Sequence, residues 1–277
     1  MTLLEVLRRA TGYLGEHGSS SPRLDAELLM AHTLGLRRLD LYLQFERPLA
    51  DAELEPYRAL VARRAKGEPV AYLVGRKEFM KLDFEVTPDV LVPNPDTEPL
   101  VVRAIDRARL HAGTVRVADV GTGCGNIAIS IAHYVPNASI CATDVSAAAL
   151  AVARANAERL GVGERVAFAE GSLLEPAPGP FDLVCANLPY LPESDGYPAE
   201  VLAQPHVALF AGQRGSELVI ALLEQAVSKL ASGGAVLAEV DPVVVADVLP
   251  VADRLYAGRV LHRDLGGHQR VLELWNS

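Results

Sequence analysis

From Val115 onward the chain alternates short apolar runs with helix-like segments, and this alternation constrains the fold more than any other feature. VRVADV, SICATDV, RVAFAEG, FDLVCAN and GGAVLAEV have the length and composition of buried strands. GTGCGNIAISIAHYV opens from a glycine turn into a helix, and SAAALAVARANAERLG and SELVIALLEQAVSKL read as helices. PVVVADVLPVADRLY is a further helix despite its β-branched residues. Apolar strands joined by helices specify a mostly parallel sheet covered on both faces. RVLHRDL and QRVLELW close the chain with too few residues between them for a helical crossover, so they pair antiparallel.

The first 66 residues are different in kind. Thr2 is placed to cap a helix over Leu3–Leu14. A second helix starts at the serine before Pro22, carries Asp25 and Glu27 early, and stops at Gly35, with Leu24, Leu28, Leu29 and Leu36 as its apolar stripe. LADAELEPYRALVARRAKG is a third, expected to kink or restart at Pro56 and end at Gly67, with Leu54, Tyr57, Leu60 and Val61 facing inward. These segments form a small bundle with one buried face, and their charged residues are read as solvated. Strand-like pieces follow around Tyr72–Val74 and Leu82–Val86, punctuated by Gly and Pro, as a hairpin or extended linker. Asp96 is a candidate cap for a helix from Thr97 to Leu110. The expected division is a helical domain over 1–70, a linker over 71–95 and a sheet domain over 96–277.

Composition narrows the function classes. With 277 residues, half of them hydrophobic, the chain can bury a large core. A net charge of −9 disfavours non-specific binding to phosphate backbones. Cys124, Cys141 and Cys185 lack metal-binding spacing and read as buried, reduced thiols of a cytoplasmic protein. No apolar window of about 18 residues lacks charge, so no membrane span is expected, and the N-terminus lacks the apolar core of a secretory signal.

Two landmarks frame a nucleoside site. Asp119-Val-Gly121-Thr122-Gly123-Cys124-Gly125 lies where the first sheet strand meets its helix, the ligand crevice of open α/β sheets. Asp144 ends the second strand, where a carboxylate can accept from both ribose hydroxyls. The D-x-G-x-G-x-G spacing is similar to the methyltransferase glycine loop and lacks the dinucleotide pattern, since position 126 is Asn. The resemblance implies S-adenosyl-L-methionine as cofactor and S-adenosyl-L-homocysteine as its product. Asp119 suits the amino acid end of that molecule, through a water or its ammonium group, or else organises the loop. Ser172 stands where methyltransferases commonly carry an acid beside the adenine amine, leaving recognition to the serine or to backbone groups.

Asn187-Leu188-Pro189-Tyr190 follows the fourth strand at the mouth of the sheet. An amide or exocyclic amine is a weak nucleophile because its lone pair is delocalised. Methylating it requires the nitrogen held in line and its N–H groups bonded to acceptors, which the Asn187 side-chain oxygen and the Leu188 carbonyl can supply. Pro189 stiffens the loop, and Tyr190 can pack over a flat substrate group. The motif specifies amino-nitrogen methylation as a class. N-P-P-Y occurs in adenine and glutamine N-methyltransferases, and N-L-P-Y in ribosomal RNA adenine dimethyltransferases.

Together with SPRLDAELLMAH, the Gly-Glu-Pro, Glu78-Phe79 and Pro93–Glu98 segments, and QPHVALFAGQRGSELV, these motifs resemble the release factor glutamine methyltransferases (the PrmC/HemK family) over nearly the whole chain. The resemblance implies a class I methyltransferase fold: a seven-stranded, mostly parallel α/β sheet with a small N-terminal helical bundle and a β-hairpin linker. It implies transfer of a methyl group to the side-chain amide of the Gly-Gly-Gln glutamine in peptide chain release factors 1 and 2. Asn187, Leu188, Pro189 and Tyr190 would then bind that glutamine, with Phe79 a neighbour of the pocket, and the enzyme would be a monomer without stable nucleic acid or membrane binding. The alternatives are a ribosomal protein glutamine methyltransferase and a nucleic acid amino-group N-methyltransferase; the acidic charge and the absence of a basic front domain weigh against the second.

Overall fold

The structure, a computed structural model, describes residues 1–194, 196–263 and 267–276. The chain divides into two compact units, residues 1–76 with 196–203, and residues 77–195 with 204–277.

In the first unit, α1 (Leu3–Glu16) begins with a capping box: the Thr2 hydroxyl accepts from the Glu5 amide at 3.3 Å and the Glu5 carboxylate accepts from the Thr2 amide at 2.9 Å. α2 (Pro22–Leu34) starts on Pro22 and ends on Gly35 in the left-handed region. α3 (Asp51–Arg64) runs unbroken through Pro56, so the expected restart there does not occur. Pro56 sits early in the helix and its ring removes a single interior hydrogen bond. The expected strand at Tyr72–Val74 is instead a short helix, α4 (Val70–Val74), entered from Pro69 and stopped by Gly75 at φ +75°. An apolar run this short carries no readable period, and the flanking Pro and Gly decide it.

The buried face of α2 also differs from the sequence reading. Leu24 is exposed, while Ala26, Leu29 and Met30 are fully buried. Asp25 and Glu27, read as solvated, lie inside. Asp25 accepts from Arg64 Nε and from the Ser19 hydroxyl, both at 2.7 Å, and Arg64 Nη2 also donates to Glu200 at 2.7 Å. Glu27 accepts from Arg23, Arg38 and the Tyr42 hydroxyl at 2.7–2.9 Å. These partners hold the Glu27 carboxyl below its ordinary range, although burial pushes it the other way. Glu200 belongs to the segment 196–203, whose Ala199 lies so close to Gly67 that a Cβ there would come within 2.6 Å of the Ala199 methyl.

The second unit opens with a hairpin, β1 (Arg76–Phe79) and β2 (Leu82–Glu85). Its two turn residues, Met80 and Lys81, have φ of +50° and +61°, a geometry that ordinarily selects Asn-Gly. The turn is held from outside: the Met80 amide donates to Glu98 at 2.8 Å and its carbonyl accepts from the Tyr134 hydroxyl at 2.7 Å. The elements that follow are α5 (Glu98–Ala108), β3 (Val115–Val120), α6 (Asn126–Tyr134), β4 (Ala138–Asp144), α7 (Ala147–Arg159), β5 (Val166–Glu170) and β6 (Phe181–Ala186). After them come α8 (Ala199–Leu202), α9 (His206–Leu209), α10 (Glu217–Ala226), β7 (Leu230–Glu239), α11 (Pro242–Leu255), β8 (Gly258–Arg263) and β9 (Gln269–Trp275). Asp96 does not cap α5. One 3-10 turn, Pro95–Thr97, precedes the helix, the Asn94 side chain accepts from the Asp96 amide, and Asp96 pairs with Arg270 at 3.1 Å.

The seven strands lie in the order β5-β4-β3-β6-β7-β9-β8. β3 through β7 pair in parallel, and β9 runs antiparallel to both β7 and β8, as the short final connection requires. The expected strand RVLHRDL is described to Arg263, and its last two residues lie outside the described residues. β3 sits in the middle with Val115, Val117, Ala118 and Asp119 fully buried. The chain moves outward from β3 to β4 and β5, then returns to lay β6 on the other side, which opens a crevice at the carboxyl ends of β3 and β6. Among the described residues, no helix is long and apolar enough to cross a membrane.

Replacing Arg64 by Ala strands Asp25 in the interior without its counter-charge. We expect the mutant's unfolding free energy, from urea denaturation followed by circular dichroism, to fall by about 3–5 kcal/mol. A loss under about 1 kcal/mol would show that the ion pair is not structurally important.

Candidate active site

The loop between β3 and α6 is pinned at its base. Asp119 Oδ2 accepts from the Thr122 hydroxyl at 2.6 Å and from the Ala128 amide at 3.0 Å, so one carboxylate oxygen ties the end of β3 to the loop and to the first turn of α6. The Gly121 and Thr122 amides both donate to the Thr143 carbonyl of β4 at 2.9 Å. Gly121 (φ +71°) then approaches the N-L-P-Y segment, where a Cβ would lie 2.9 Å from Leu188 Cδ2. At Gly125 (φ +85°) a Cβ would collide with Ile129 at 2.6 Å, so this glycine serves packing between loop and helix.

The loop opens on a cavity of about 270 Å³ at the carboxyl ends of β3, β4 and β6. Of the residues singled out in the sequence, Gly121, Gly123, Asp144, Ser172, Asn187, Leu188 and Pro189 line it. Asp119, Thr122 and Cys124 are buried beneath the loop instead. The Cys124 thiol is pushed up to about 12 by burial, which keeps it protonated. Tyr190 is half-buried against the core, and desolvation pushes its phenol up to about 12. Phe79 is almost fully buried, edge-on to Phe84 with ring centres 6.2 Å apart, and does not line the cavity. The Gln204 side-chain oxygen accepts from the Val92 amide at 3.0 Å.

Two features of the site carry no signal in local spacing. The first is the apolar wall made by Val90, Leu91, Val145, Leu173 and Phe210, drawn from distant parts of the chain. The second is the partner of Asn187. Its Nδ2 donates to the Thr97 hydroxyl at 2.9 Å, from the stretch just before α5. Thr97 is buried, as is Glu239 at the end of β7. Thr97 lies inside the quoted Pro93–Glu98 segment, but only the fold places it beside Asn187.

The charge distribution suits a nucleoside carrying an amino acid tail. Asp144 at the end of β4 accepts from the Gly123 and Ser146 amides, both at 2.9 Å, which orients both its oxygens at the cavity edge with lone pairs to spare for a diol. Asp119 Oδ1 is buried with no hydrogen-bond partner among the described residues. Desolvation raises the Asp119 carboxyl to about 7, and unspent acceptor capacity of this kind fits a cationic or water-mediated contact. Together with the apolar wall, these residues fit S-adenosylmethionine.

A family profile described as the PrmC N-terminal domain matches residues 5–75, and one described as a methyltransferase domain matches residues 117–204. The release factor glutamine methyltransferase of Rhodopirellula baltica is 37% identical over 99% of this chain and 96% of its own length. That of Geobacter sulfurreducens is 42% identical over 86% of this chain and 84% of its own. Among solved structures, a methyltransferase from Pyrococcus furiosus superposes with a TM-score of 0.53 at 20% identity, covering 78% of this chain and 97% of that one, a likeness of fold.

Two outcomes test the site. In Asp144→Asn one of the two backbone amides faces an NH2 group and the charged diol acceptor is lost. S-adenosylhomocysteine affinity, measured by calorimetry, is expected to fall about tenfold or more. For Asp119, folding raises the pKa from 3.8 to about 7, so between these values the folded protein holds a proton that the unfolded chain has lost. Its contribution to stability therefore declines as pH rises from about 4 to about 7. The melting temperature of Asp119→Asn relative to the parent protein should climb over that window, and a constant gap would contradict the assignment.

Proposed function

This chain belongs to the release factor glutamine methyltransferase family, and from that premise we propose that it methylates the side-chain amide nitrogen (N5) of the glutamine in the Gly-Gly-Gln loop of bacterial peptide chain release factors. The observation that carries the reading is the state of Asn187. Its amide nitrogen is committed to Thr97, so its oxygen remains as an acceptor on a residue that lines the cavity.

A glutamine amide resists alkylation because its lone pair is shared with the carbonyl. Two acceptors, Asn187 Oδ1 and the Leu188 carbonyl, would bind the two N–H groups and orient the nitrogen lone pair toward the methyl group. The Leu188 side chain is 4% exposed and wedged against Gly121, which fixes the peptide that carries this carbonyl. Pro189 stiffens the next bond, and Tyr190 supports the flat amide from the core side. Asp144, Gly121, Gly123 and Ser172 would hold S-adenosylmethionine, which when bound would supply a methyl carbon on a positively charged sulfur, with S-adenosylhomocysteine as the product. A nitrogen that has gained a methyl group is strongly acidic, and its surplus proton passes to Asn187 or to water and on to solvent.

In this reading residues 1–70 are the substrate-recognition domain, 71–95 the linker and 96–277 the catalytic domain. Release factors 1 and 2 are the substrates, and the enzyme works as a cytoplasmic monomer. The net charge of −9 supports a protein substrate over a nucleic acid.

The test offers radiolabelled S-adenosylmethionine together with release factor, with the same factor lacking the Gly-Gly-Gln glutamine, and with ribosomal subunits or bare RNA. Label is expected on the intact factor alone, and Asn187→Ala is expected to lower kcat on the order of 100-fold. Label on ribosomal protein or RNA, with none on the factor, would overturn the substrate assignment while leaving the family and the cofactor.

A further inference from the structure

Asn156 of α7 is fully buried, although asparagine is a poor helix former and an unpaired amide in the interior is costly. Packing alone would favour an apolar residue at this position. Every bonding group of the amide is in use. Its oxygen accepts from the Glu85 amide at 2.8 Å and from Arg159 Nη2 at 3.0 Å. Its nitrogen donates to the Glu85 carbonyl at 2.9 Å and to the Cys124 carbonyl at 3.0 Å. A backbone N–H only donates and a backbone carbonyl only accepts, so these partners fix which way the amide is turned.

Both backbone segments joined by this side chain lead into the cofactor cavity. Glu85 ends β2, and Asn156 pairs with its N–H and its C=O together, as a residue of a neighbouring strand would. A short turn follows, closed by the Val90 amide donating to the Thr87 carbonyl at 3.2 Å, and Asp89, Val90 and Leu91 line the cavity. On the other side, Cys124 lies in the glycine loop between Gly123, which lines the cavity and donates to Asp144, and Gly125, which precedes α6. We propose that Asn156 is a positioning residue for the cofactor. It holds the end of β2 and the glycine loop together, so that the wall at Asp89, Val90 and Leu91 and the wall at Gly121 and Gly123 stand at a fixed separation around S-adenosylmethionine. Asn156 itself does not line the cavity. The inference goes beyond the substrate assignment, because it concerns the cofactor cavity and holds whichever group is methylated.

Without the amide, the Glu85 and Cys124 carbonyls lose their Asn156 donor in the interior, and the strand and the loop are free to separate. The protein then spends less of its time with both walls in place, and cofactor affinity falls by that fraction. Arg159 provides the contrast. It also ties α7 to β2, donating to the Asp83 carbonyl and pairing with Glu85 at 3.7 Å, but among the described residues it makes no bond to the glycine loop.

The experiment measures S-adenosylhomocysteine affinity by calorimetry, well below the melting temperature of each variant. Asn156→Asp keeps the size and an acceptor for the Glu85 amide but turns an oxygen toward two carbonyls, and its affinity should fall roughly 5- to 100-fold. Asn156→Ser has a hydroxyl too short to span the gap and leaves room for water. It serves where Asn156→Asp does not fold, and its affinity should fall in the same range. Arg159→Ala should lower the melting temperature and leave the affinity unchanged. With release factor as methyl acceptor, the Asn156 variants should show a raised KM for S-adenosylmethionine and a kcat at saturating cofactor close to wild type. Wild-type affinity in a folded Asn156 variant, an effect confined to kcat, or an equal loss of affinity in Arg159→Ala would overturn the proposal. Wild type that binds no S-adenosylhomocysteine removes the cofactor assignment and the proposal with it. Wild type that binds it but leaves the factor unlabelled removes the substrate assignment alone, and the calorimetric comparison still decides the role of Asn156.

Discussion

The buried carboxylate of Asp119 is the constraint on which the rest of the catalytic unit depends. Taking a charge out of water is unfavourable, and here it is offset by two short donors from either end of the glycine loop. Because one oxygen takes both donors, the loop cannot drift from the end of β3. Every later placement follows from that: Gly121 is delivered against Leu188, Gly123 against Asp144, and the first turn of α6 against the base of the cavity. The second oxygen has no hydrogen-bond partner among the described residues, and burial lifts the carboxyl to about 7.

The helical unit is organised by charge in a different way. Its apolar residues supply a core, but Asp25, Glu27 and Arg64 lie inside it with their partners. Buried ion pairs contribute less net stability than their geometry suggests, because desolvation opposes them; they do specify which elements meet. Arg64 joins α2 to the segment 196–203, which leaves the sheet unit shortly after the N-L-P-Y motif and returns at Gln204. Within the sheet unit, the Gln204 side-chain oxygen accepts from the Val92 amide.

Polar side chains beneath the motif extend the same logic. Asn187 and Thr97 come from the end of β6 and from the turn before α5, and Thr97, almost fully buried, relies on a protein partner rather than on solvent. Arg270 of β9 sits among three carboxylates there, so the antiparallel last strand has a chemical consequence as well as a topological one.

What the sequence by itself determined was whatever local rules can carry. The strands from β3 to β7, the helices between them, the antiparallel closing pair and the glycine turn are written in periodicity, in length and in the position of Gly and Pro. Those same rules set Asp144 and Asn187 at the carboxyl ends of the strands on either side of β3, because a parallel sheet with helical crossovers places all such ends on one side. The tertiary structure decided the rest. It held Met80 and Lys81 in a turn that their types disfavour, through bonds from Glu98 and Tyr134. It buried Asp25 and Glu27, which look like solvated helix-start acids until Arg64, 39 residues further on, is brought beside the first of them. It also joined Thr97 to Asn187 across 90 residues of chain. A propensity acts over one or two turns, whereas a hydrogen bond in a core depends on which distant atoms the fold has brought within about 3 Å.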